Sequence, residues 1–273
     1  MRDHSASPSS GLPRSPNLVP QLSETPAKRR GTTDPRRRAA LDLVKIDAEL
    51  HKDGGSLLTA LAGKAATAFR PEIHYPPGEV WDAGTHAQYF YHAHAEGERL
   101  AGEHGHFHLF LGRDGMPSGL APLVLPEMGL APHSRKPDHG DPGTHRSVRD
   151  RGVFAHLIGL SLDSNGRPVA LFTTNRWVTG ETWYRAEDVI GMLDRFDFTV
   201  ATAGLPDRWL AAVLRILKPA IVELVQARDA AIMDWRRRRS RQLHVFEDRR
   251  LEIVSQRRID FGAELKTLLA DLA

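Results

Sequence analysis

The sequence predicts an α+β fold, in which an antiparallel sheet of about four strands packs with several helices in a single domain. Two observations support this class. Between residues 154 and 177, two apolar runs flank a Gly-containing tight turn, which is the pattern of an antiparallel hairpin. Segments with helical periodicity stand before and after the strand segments, as in α+β domains. The length of 273 residues and the hydrophobic content of 41% allow a sizeable buried core.

The lack of cysteine limits the covalent and metal-binding chemistry that the chain can perform. Without cysteine the chain has no disulfide, no thiolate nucleophile and no cysteine-ligated metal, so any metal must be held by His, Asp or Glu. No run of eighteen apolar residues and no signal-peptide pattern occurs. We therefore expect a cytoplasmic protein without a membrane segment.

Residues 1–33 are expected to form a disordered tail, because they are rich in Ser and Pro, have few large apolar residues and end in a basic patch. The domain then spans residues 34–273. Asp34 followed by Pro35 is typical of a helix start, and a first helix is predicted from 35 to 51. Ser56 is a cap for a second, short helix. The Tyr-Pro-Pro-Gly sequence at residues 75–78 predicts an extended connector.

A further helix is predicted from about 83 to 102, because small side chains recur on one broad face. On this helix His92 and Glu96 lie one turn apart and can share a ligand. His94 points the other way, so His92 and His94 are not expected to bind the same ion.

After Gly105 the pattern changes to a period of two. His106 and His108 alternate with apolar residues, which predicts a strand from 106 to 111 with histidine on one face and apolar side chains on the other. Residues 113–152 are rich in Gly, Pro, His and Asp and are predicted to form a long loop.

The C-terminal half continues the alternation of strands and helices. The predicted elements are strands at 154–162 and 168–177, a helix at 185–196, a long helix at 206–239 that Pro219 kinks or breaks, a strand at 251–255 and a closing helix capped by Asp260.

A metal site is the sharpest functional hypothesis. The stretch from residue 89 to 111 holds five of the fourteen histidines. On a strand, His106 and His108 stand roughly 6.6 Å apart on one face, within reach of a common ion. Zinc, iron or manganese would suit nitrogen and oxygen donors. The predicted ligands are His92, His106 and His108, with His156 alongside and with Glu96 or Glu103 as a further ligand or general base.

Two alternatives stay open for these histidines. They can hydrogen-bond to the sheet and to one another, or line a polar groove, without any metal. A cupin-like site starting from His92 and His94 fits less well, because the glutamate follows after one residue and the pair lies in a predicted helix.

A second polar group follows the hairpin. Asn175, Arg176, Trp177 and Glu181 lie at a strand end, where loops often carry function. Arg176 is a candidate to orient a small anionic substrate through paired hydrogen bonds from its guanidinium group. Trp177 is a candidate to provide an aromatic surface on which the substrate stacks. Asn175 and Glu181 are further candidate ligand-binding residues. The alternative is an ordinary turn whose polar side chains satisfy backbone groups.

The favoured hypothesis is that the chain is a metal-dependent enzyme, or a protein that binds a metal or small ligand in a polar His/Glu pocket. The competing class is a non-catalytic interaction module. Arginines cluster after Trp235, so the basic helix end within residues 228–250 is a candidate surface for an acidic partner or nucleic acid. Nucleic acid is not favoured, because no recognised DNA- or RNA-binding module is present. Serine-nucleophile and nucleotide-loop motifs do not occur.

A family resemblance rests on four short sequence motifs: HYPP at residues 74–77, YHAH at 91–94, EHGHFH at 103–108 and LFTTNRWVTGE at 171–181. Together they resemble a family of uncharacterised bacterial proteins that is classified as a domain of unknown function. The resemblance covers roughly residues 35 to 272. It implies membership of that family and brings no known activity or cofactor.

Overall fold

An antiparallel sheet organises the part of the chain that the computed structural model describes, which is residues 34–63, 69–71, 73–95, 97, 100–125, 152–239 and 244–270. The strands follow one another across the sheet in chain order, and every neighbouring pair is antiparallel. The predicted α+β class with an antiparallel sheet is confirmed, with six strands among the described residues instead of about four. These strands are β1 Tyr75–Trp81, β2 Ala87–His92, β3 Gly105–Gly112, β4 Phe154–Leu162, β5 Pro168–Thr174 and β6 Ile253–Arg258.

The two additional strands lie where the sequence predicted a connector and a helix. β1 contains the predicted extended connector. The helix predicted from 83 to 102 is wrong, because β2 and a turn take its place. The carboxylate of Asp82 accepts from the backbone N–H groups of Gly84, at 2.9 Å, and Thr85, at 2.7 Å, and so closes a turn before β2. The aromatic residues of β2 favour strand, and this preference outweighs the small residues that follow.

Helices α1, α2 and α6 begin as the sequence predicts. The side chain of Asp34 accepts from the N–H of Arg36, Ser56 forms a capping box with Thr59, and Asp260 caps α6. None of the described helices is long and apolar enough to cross a membrane. The α-helices are α1 Pro35–His51, α2 Leu57–Ala62, α3 Arg176–Thr179, α4 Ala186–Leu193, α5 Leu205–Arg238 and α6 Phe261–Leu269.

Pro219 does not break the long helix, because α5 runs through it for 34 residues. Proline has no N–H to donate to the preceding turn, which leaves carbonyl groups there without their usual partner. The Nε of Arg36 donates to the carbonyl of Ile216 at 3.0 Å. The same guanidinium pairs with Glu264 on α6. The carbonyl that Pro219 leaves without its helical N–H is that of Arg215, so Arg36 connects three helices one residue beyond this point.

The two faces of the sheet differ in chemistry. The apolar face carries Tyr89, Tyr91, Phe107, Leu109 and Leu111, and it packs into the main core with residues of α1, α2, α4 and α5. The predicted alternation of histidine and apolar residues on β3 is confirmed. We call the opposite side the histidine face; its members contact one another through their rings and are His74, His92, His94, His106, His108 and His156 with Phe90, Phe110 and Phe172.

A glycine on β4 lets one aromatic ring of the histidine face lie close to the sheet. Gly159 pairs with Phe172 of β5, and a Cβ on Gly159 would overlap the Phe172 ring. Phe172 then packs edge-on against His106, with ring centroids 4.9 Å apart, and against His108 at 5.6 Å. The absence of a side chain at Gly159 thus allows the Phe172 ring to pack beside two histidines.

Two predicted segments fall wholly or partly outside the described residues. The tail at 1–33 is one, and residues 126–151 of the predicted loop are the other. The described start of that loop contains a short 3-10 turn, Arg113–Gly115, and reaches Leu125, which is buried in a small cluster with Trp183.

Candidate metal centre

Three histidine side chains converge at the end of β2. His92, the last residue of β2, lies opposite His106 in the register with β3. The ring of His94 is centred 4.7 Å from that of His92 and 5.0 Å from that of His106. One ring nitrogen from each of the three lies within 4.8 Å of the others. This spacing brings them within reach of a single metal ion.

The side chains of His92 and His106 face each other through one ring nitrogen each. Their Nε2 atoms are 2.7 Å apart. Two nitrogens that bind one tetrahedral ion at about 2.0 to 2.1 Å lie roughly 3.3 Å from each other. A ring movement of less than an ångström, by this order-of-magnitude comparison, would separate the two nitrogens enough for a common ion.

Glu103 orients His106 from the other side of the ring. Its Oε1 lies 2.6 Å from Nδ1 of His106, and the N–H of Leu100 donates to Oε2 at 3.3 Å. Burial alone would raise the pKa of Glu103, but the hydrogen bond and charge of His106, with the Leu100 N–H, lower it below its usual value. The ionised carboxylate holds a proton on Nδ1 and leaves Nε2 as the nitrogen that can bind a metal, which is the usual support of a metal-ligating histidine.

Burial keeps His92 neutral. The residue is 9% exposed, and burial together with the charges of His106 and His94 lowers its pKa to about 2. Neutral imidazole is the form that binds metals. Its Nδ1 is buried and has no hydrogen-bond partner among the described residues. Because Glu103 holds the His106 proton on Nδ1, the Nε2 of His92 donates to the Nε2 of His106 in the metal-free protein. No described contact holds Nδ1 of His92, so the His92 proton can move to Nδ1 and leave Nε2 as an electron-pair donor for an ion.

A second imidazole pair lies next to these three residues. Nδ1 of His108 is 3.1 Å from Nε2 of His156, and Nδ1 of His156 is 3.4 Å from the hydroxyl of Thr174. Burial lowers the pKa of His108 well below its usual value and that of His156 to about 3, with Arg228 adding to the latter. Both rings are therefore neutral at physiological pH.

His74 borders the cluster on β1's side and was not singled out by the sequence. It stacks on Phe90 with ring centroids 3.8 Å apart, and its Nδ1 lies 2.7 Å from Glu79. Its ring is centred 5.4 Å from that of His92. Residues 75–78 were expected to form a connector, so strand alternation was not applied to His74, although Tyr75 pairs with Tyr91 of β2.

The converging set differs from the predicted set at one position. His94 joins His92 and His106, whereas the Nδ1 of His108 faces His156. The reason for leaving His94 out was wrong, because it assumed a helix; in an extended chain, residues two apart lie on the same side. Metal binding by His108 stays a prediction. Glu96 lies outside the described residues.

The residues after β5 are engaged in structural contacts. Asn175 caps α3 by accepting from the Arg176 N–H, and its amide donates to the carbonyl of Val245 at 2.8 Å. Arg176 pairs with Glu247. The indole of Trp177 donates to the carbonyl of Leu251 at 3.0 Å. These contacts match the turn alternative, and the ligand-binding roles of Asn175, Arg176 and Trp177 stay predictions.

Glu181 is the most unusual carboxyl group near the histidines. It is 2% exposed and accepts from the backbone N–H of His156 at 2.8 Å. Burial raises its pKa to about 7, against the opposing charge of Arg228. The group can therefore hold or release a proton near neutral pH, and its role in ligand binding stays a prediction.

The sheet and the converging imidazoles define an α+β protein with a candidate metal centre on one face of an antiparallel sheet. The chain belongs to the family described as "Domain of unknown function (DUF6969)", whose model matches residues 37–259. This match confirms the resemblance to a domain of unknown function. No curated protein and no solved structure matches the chain.

Proposed function

We propose that this protein binds one divalent transition-metal ion through His92, His94 and His106 and is a metal-dependent enzyme acting on a small molecule. The observation that carries the proposal is the convergence of three ring nitrogens within 4.8 Å of one another. Three protein ligands are the number that catalytic zinc sites use, with the fourth position left for water or substrate. Structural zinc sites, in contrast, are closed by four protein ligands.

The electrostatics of the site support a metal in preference to a proton. Protonated imidazoles cannot bind a cation, and metal ligands must be deprotonated. Burial and neighbouring histidines lower the pKa of His92 to about 2, so protons do not compete for it at neutral pH. Glu103 adds one negative charge beside His106. A dication would thus meet a neutral His92 and a nearby compensating carboxylate.

Zinc, iron and manganese all accept imidazole nitrogen. Such an ion would supply Lewis-acid activation of a bound water or substrate oxygen. His94 is only half-buried, in contrast to His92 and His106, so a small ligand would approach from its side. We keep Arg176 as the candidate group for a substrate anion, Glu103 or Glu96 as a candidate base, and His156 and Glu181 as candidate ligand-binding residues in this proposal.

The competing explanation is a hydrogen-bonded histidine layer that binds no metal. Metal analysis of protein purified without a histidine tag separates the two. We expect about one equivalent of zinc, iron or manganese in the wild type and less than about a tenth in His94→Ala and in His106→Ala, since each removes one of three ligands.

Two matched variants serve as controls. His108→Gln should keep the metal if His94 is the third ligand and lose it if His108 is. His51→Ala removes an exposed histidine on α1 and should change nothing. Background metal in every sample, including protein refolded with each ion, would contradict the proposal.

Glu103 provides a graded test of the same site. Glu103→Gln should weaken metal affinity by about 10- to 100-fold, because loss of a partner that orients a ligating histidine typically has this effect. The affinity is measured by competition with a chromogenic chelator. Glu79→Gln, which alters the carboxylate beside His74, should leave the affinity within about threefold, well below the range expected for an orienting partner. Equal losses in both variants would mean that general charge, and not the Glu103 contact, sets the affinity.

A further inference from the structure

Arginines and two tryptophans form a surface where α5 ends, on residues that the metal proposal does not use. Arg236–Arg239 close α5, and Arg249 and Arg250 follow a short 3-10 turn, Val245–Glu247. The indole N–H of Trp235 donates to Asp248 at 3.0 Å, and Asp248 also holds Arg250. This contact brings the two arginine segments together. We call Trp177, Trp235, Arg236–Arg239, Arg249 and Arg250 the arginine surface.

Two of these guanidinium groups are held over aromatic rings. Arg239 lies 4.7 Å from the ring centroid of Trp235, and Arg249 lies 4.9 Å from that of Trp177. Both indoles are fixed by hydrogen bonds through their N–H groups. Stacking on an aromatic face leaves the edge donors of a guanidinium available to another group and restricts its motion. The surface therefore presents partly ordered cationic groups.

The region around this surface carries a local excess of positive charge. Residues 234–250 contain seven arginines and three acidic residues, whereas the whole chain has a net charge of +3. The excess positive charge of this short region thus exceeds that of the entire sequence. A local excess of this kind attracts polyanions at long range and is screened by salt.

The ion pairs of Arg237 and Arg238 do not prevent binding. Arg237 and Arg238 both pair with Asp234, at 3.2 and 2.5 Å, and their side chains remain 70% and 63% exposed. Exposed pairs of this type contribute only about 0 to 1 kcal/mol, so an incoming anion can replace the carboxylate.

We infer that the arginine surface binds the phosphodiester backbone of nucleic acid without sequence preference. Guanidinium groups bind phosphate oxygens through paired hydrogen bonds, and each neutralised phosphate releases counterions. Contacts to phosphate carry no direct sequence information. A protein partner is less favoured, because the buried core of a protein interface is depleted of charged residues. On the described part of this surface, arginines lie over both indoles.

Fluorescence anisotropy of a labelled 20-base-pair DNA duplex of mixed sequence tests this inference with the full-length chain. We expect a Kd of about 1 to 100 μM at moderate salt, equal for unrelated sequences. For about four phosphate contacts, raising KCl from 50 to 200 mM should weaken binding on the order of 100-fold. Arg236→Gln/Arg237→Gln/Arg238→Gln/Arg239→Gln should lose at least about tenfold in affinity and most of the salt dependence.

The matched control removes four exposed arginines from other regions: Arg167→Gln/Arg185→Gln/Arg195→Gln/Arg208→Gln. It should bind within about twofold of the wild type, because screening confines the interaction to nearby charges. If the first variant fails to fold, judged by circular dichroism, Arg237→Glu/Arg238→Glu changes only two exposed side chains and should still weaken binding at least tenfold.

Three outcomes would overturn the inference. Undiminished binding by the arginine-surface variants is one, and equal losses in the control variant are another. The third is that polyglutamate competes as well as unlabelled duplex at equal charge, which would indicate an acidic polypeptide as the partner. Metal content is measured in the same samples, so a failure here is distinct from a failure of the metal site.

Discussion

The metal-free protein is expected to lose about 5 kcal/mol of folding free energy between pH 6.5 and 4.5. His92, His108 and His156 are buried, and burial lowers the pKa of each far below the ordinary 6.5. Unfolding returns them to the ordinary value, so below pH 6.5 the unfolded chain binds three protons that the folded chain does not. Their contribution is fully present above pH 6.5 and decreases as the pH falls.

One group acts in the opposite direction. Burial raises the pKa of Glu181 to about 7 from 4.5, so the folded chain binds this proton between those values and the unfolded chain does not. The net uptake on unfolding is then about two protons, which corresponds to about 3 kcal/mol per pH unit. Below about pH 4.5, Glu103 and Asp82 add to the loss, because their pKa values are lowered in the folded state. Such a slope is large against a typical total of about 5 to 15 kcal/mol.

Urea unfolding in the presence of a chelator, at half-unit steps from pH 7.5 to 4.5, measures this dependence. His156→Gln removes one of the three histidines, and its slope should be about half that of the wild type. His51→Gln, at an exposed position of α1, should leave the slope unchanged. A free energy of unfolding that stays constant from pH 6.5 to 5 would mean that the buried imidazoles are protonated as readily in the folded chain as in water.

Gly159→Ala is expected to destabilise the protein by about 3 kcal/mol. The added methyl group would overlap the ring of Phe172, which is 3% exposed and packed against His106 and His108. A buried ring in a close-packed layer can move only by displacing its neighbours, and overpacking of this kind usually costs about 1 to 3 kcal/mol, occasionally more. Loss of metal affinity should accompany the change, because Phe172 contacts His106 directly.

A double-mutant cycle assigns this cost to the Phe172 ring. In a Phe172→Leu background the added methyl group has more room, so Gly159→Ala should cost at least about 1 kcal/mol less than it does alone. Gly191→Ala is the matched control, because a Cβ there meets nothing within 4 Å and the residue lies inside α4. It should stabilise the protein by about 0.5 to 1 kcal/mol. A similar cost with and without Phe172 would place the strain elsewhere in β4.

The parts of the fold that the sequence predicted are those with a local physical signal. Asp34 and Ser56 are capping residues that need only their own helix, and both cap as expected. The β4–β5 hairpin was predicted from its turn, and the two strands pair as expected. The alternation on β3 likewise needed no information from outside the strand, and it correctly separated His106 and His108 from the core.

The errors arose where tertiary context decides. Residues 83–102 contain enough Ala and Gly to imitate a packing face of a helix, but Tyr89 and Tyr91 are buried only when β2 joins the sheet. That single error also removed His94 from the predicted site. The contact between His108 and His156 depends on a register shift between β3 and β4, which no pattern in one strand can reveal.

The three converging histidines and Glu103 all come from residues 92–106, that is, from one β-hairpin between neighbouring strands. A stretch this short keeps its donor atoms close together even when the rest of the polypeptide is denatured. An ion that still associates with the denatured ensemble raises the melting temperature by less than its affinity for the native state implies. Ligand-induced thermal shifts would therefore understate how tightly the native protein holds its metal, and direct titration is the more faithful measure.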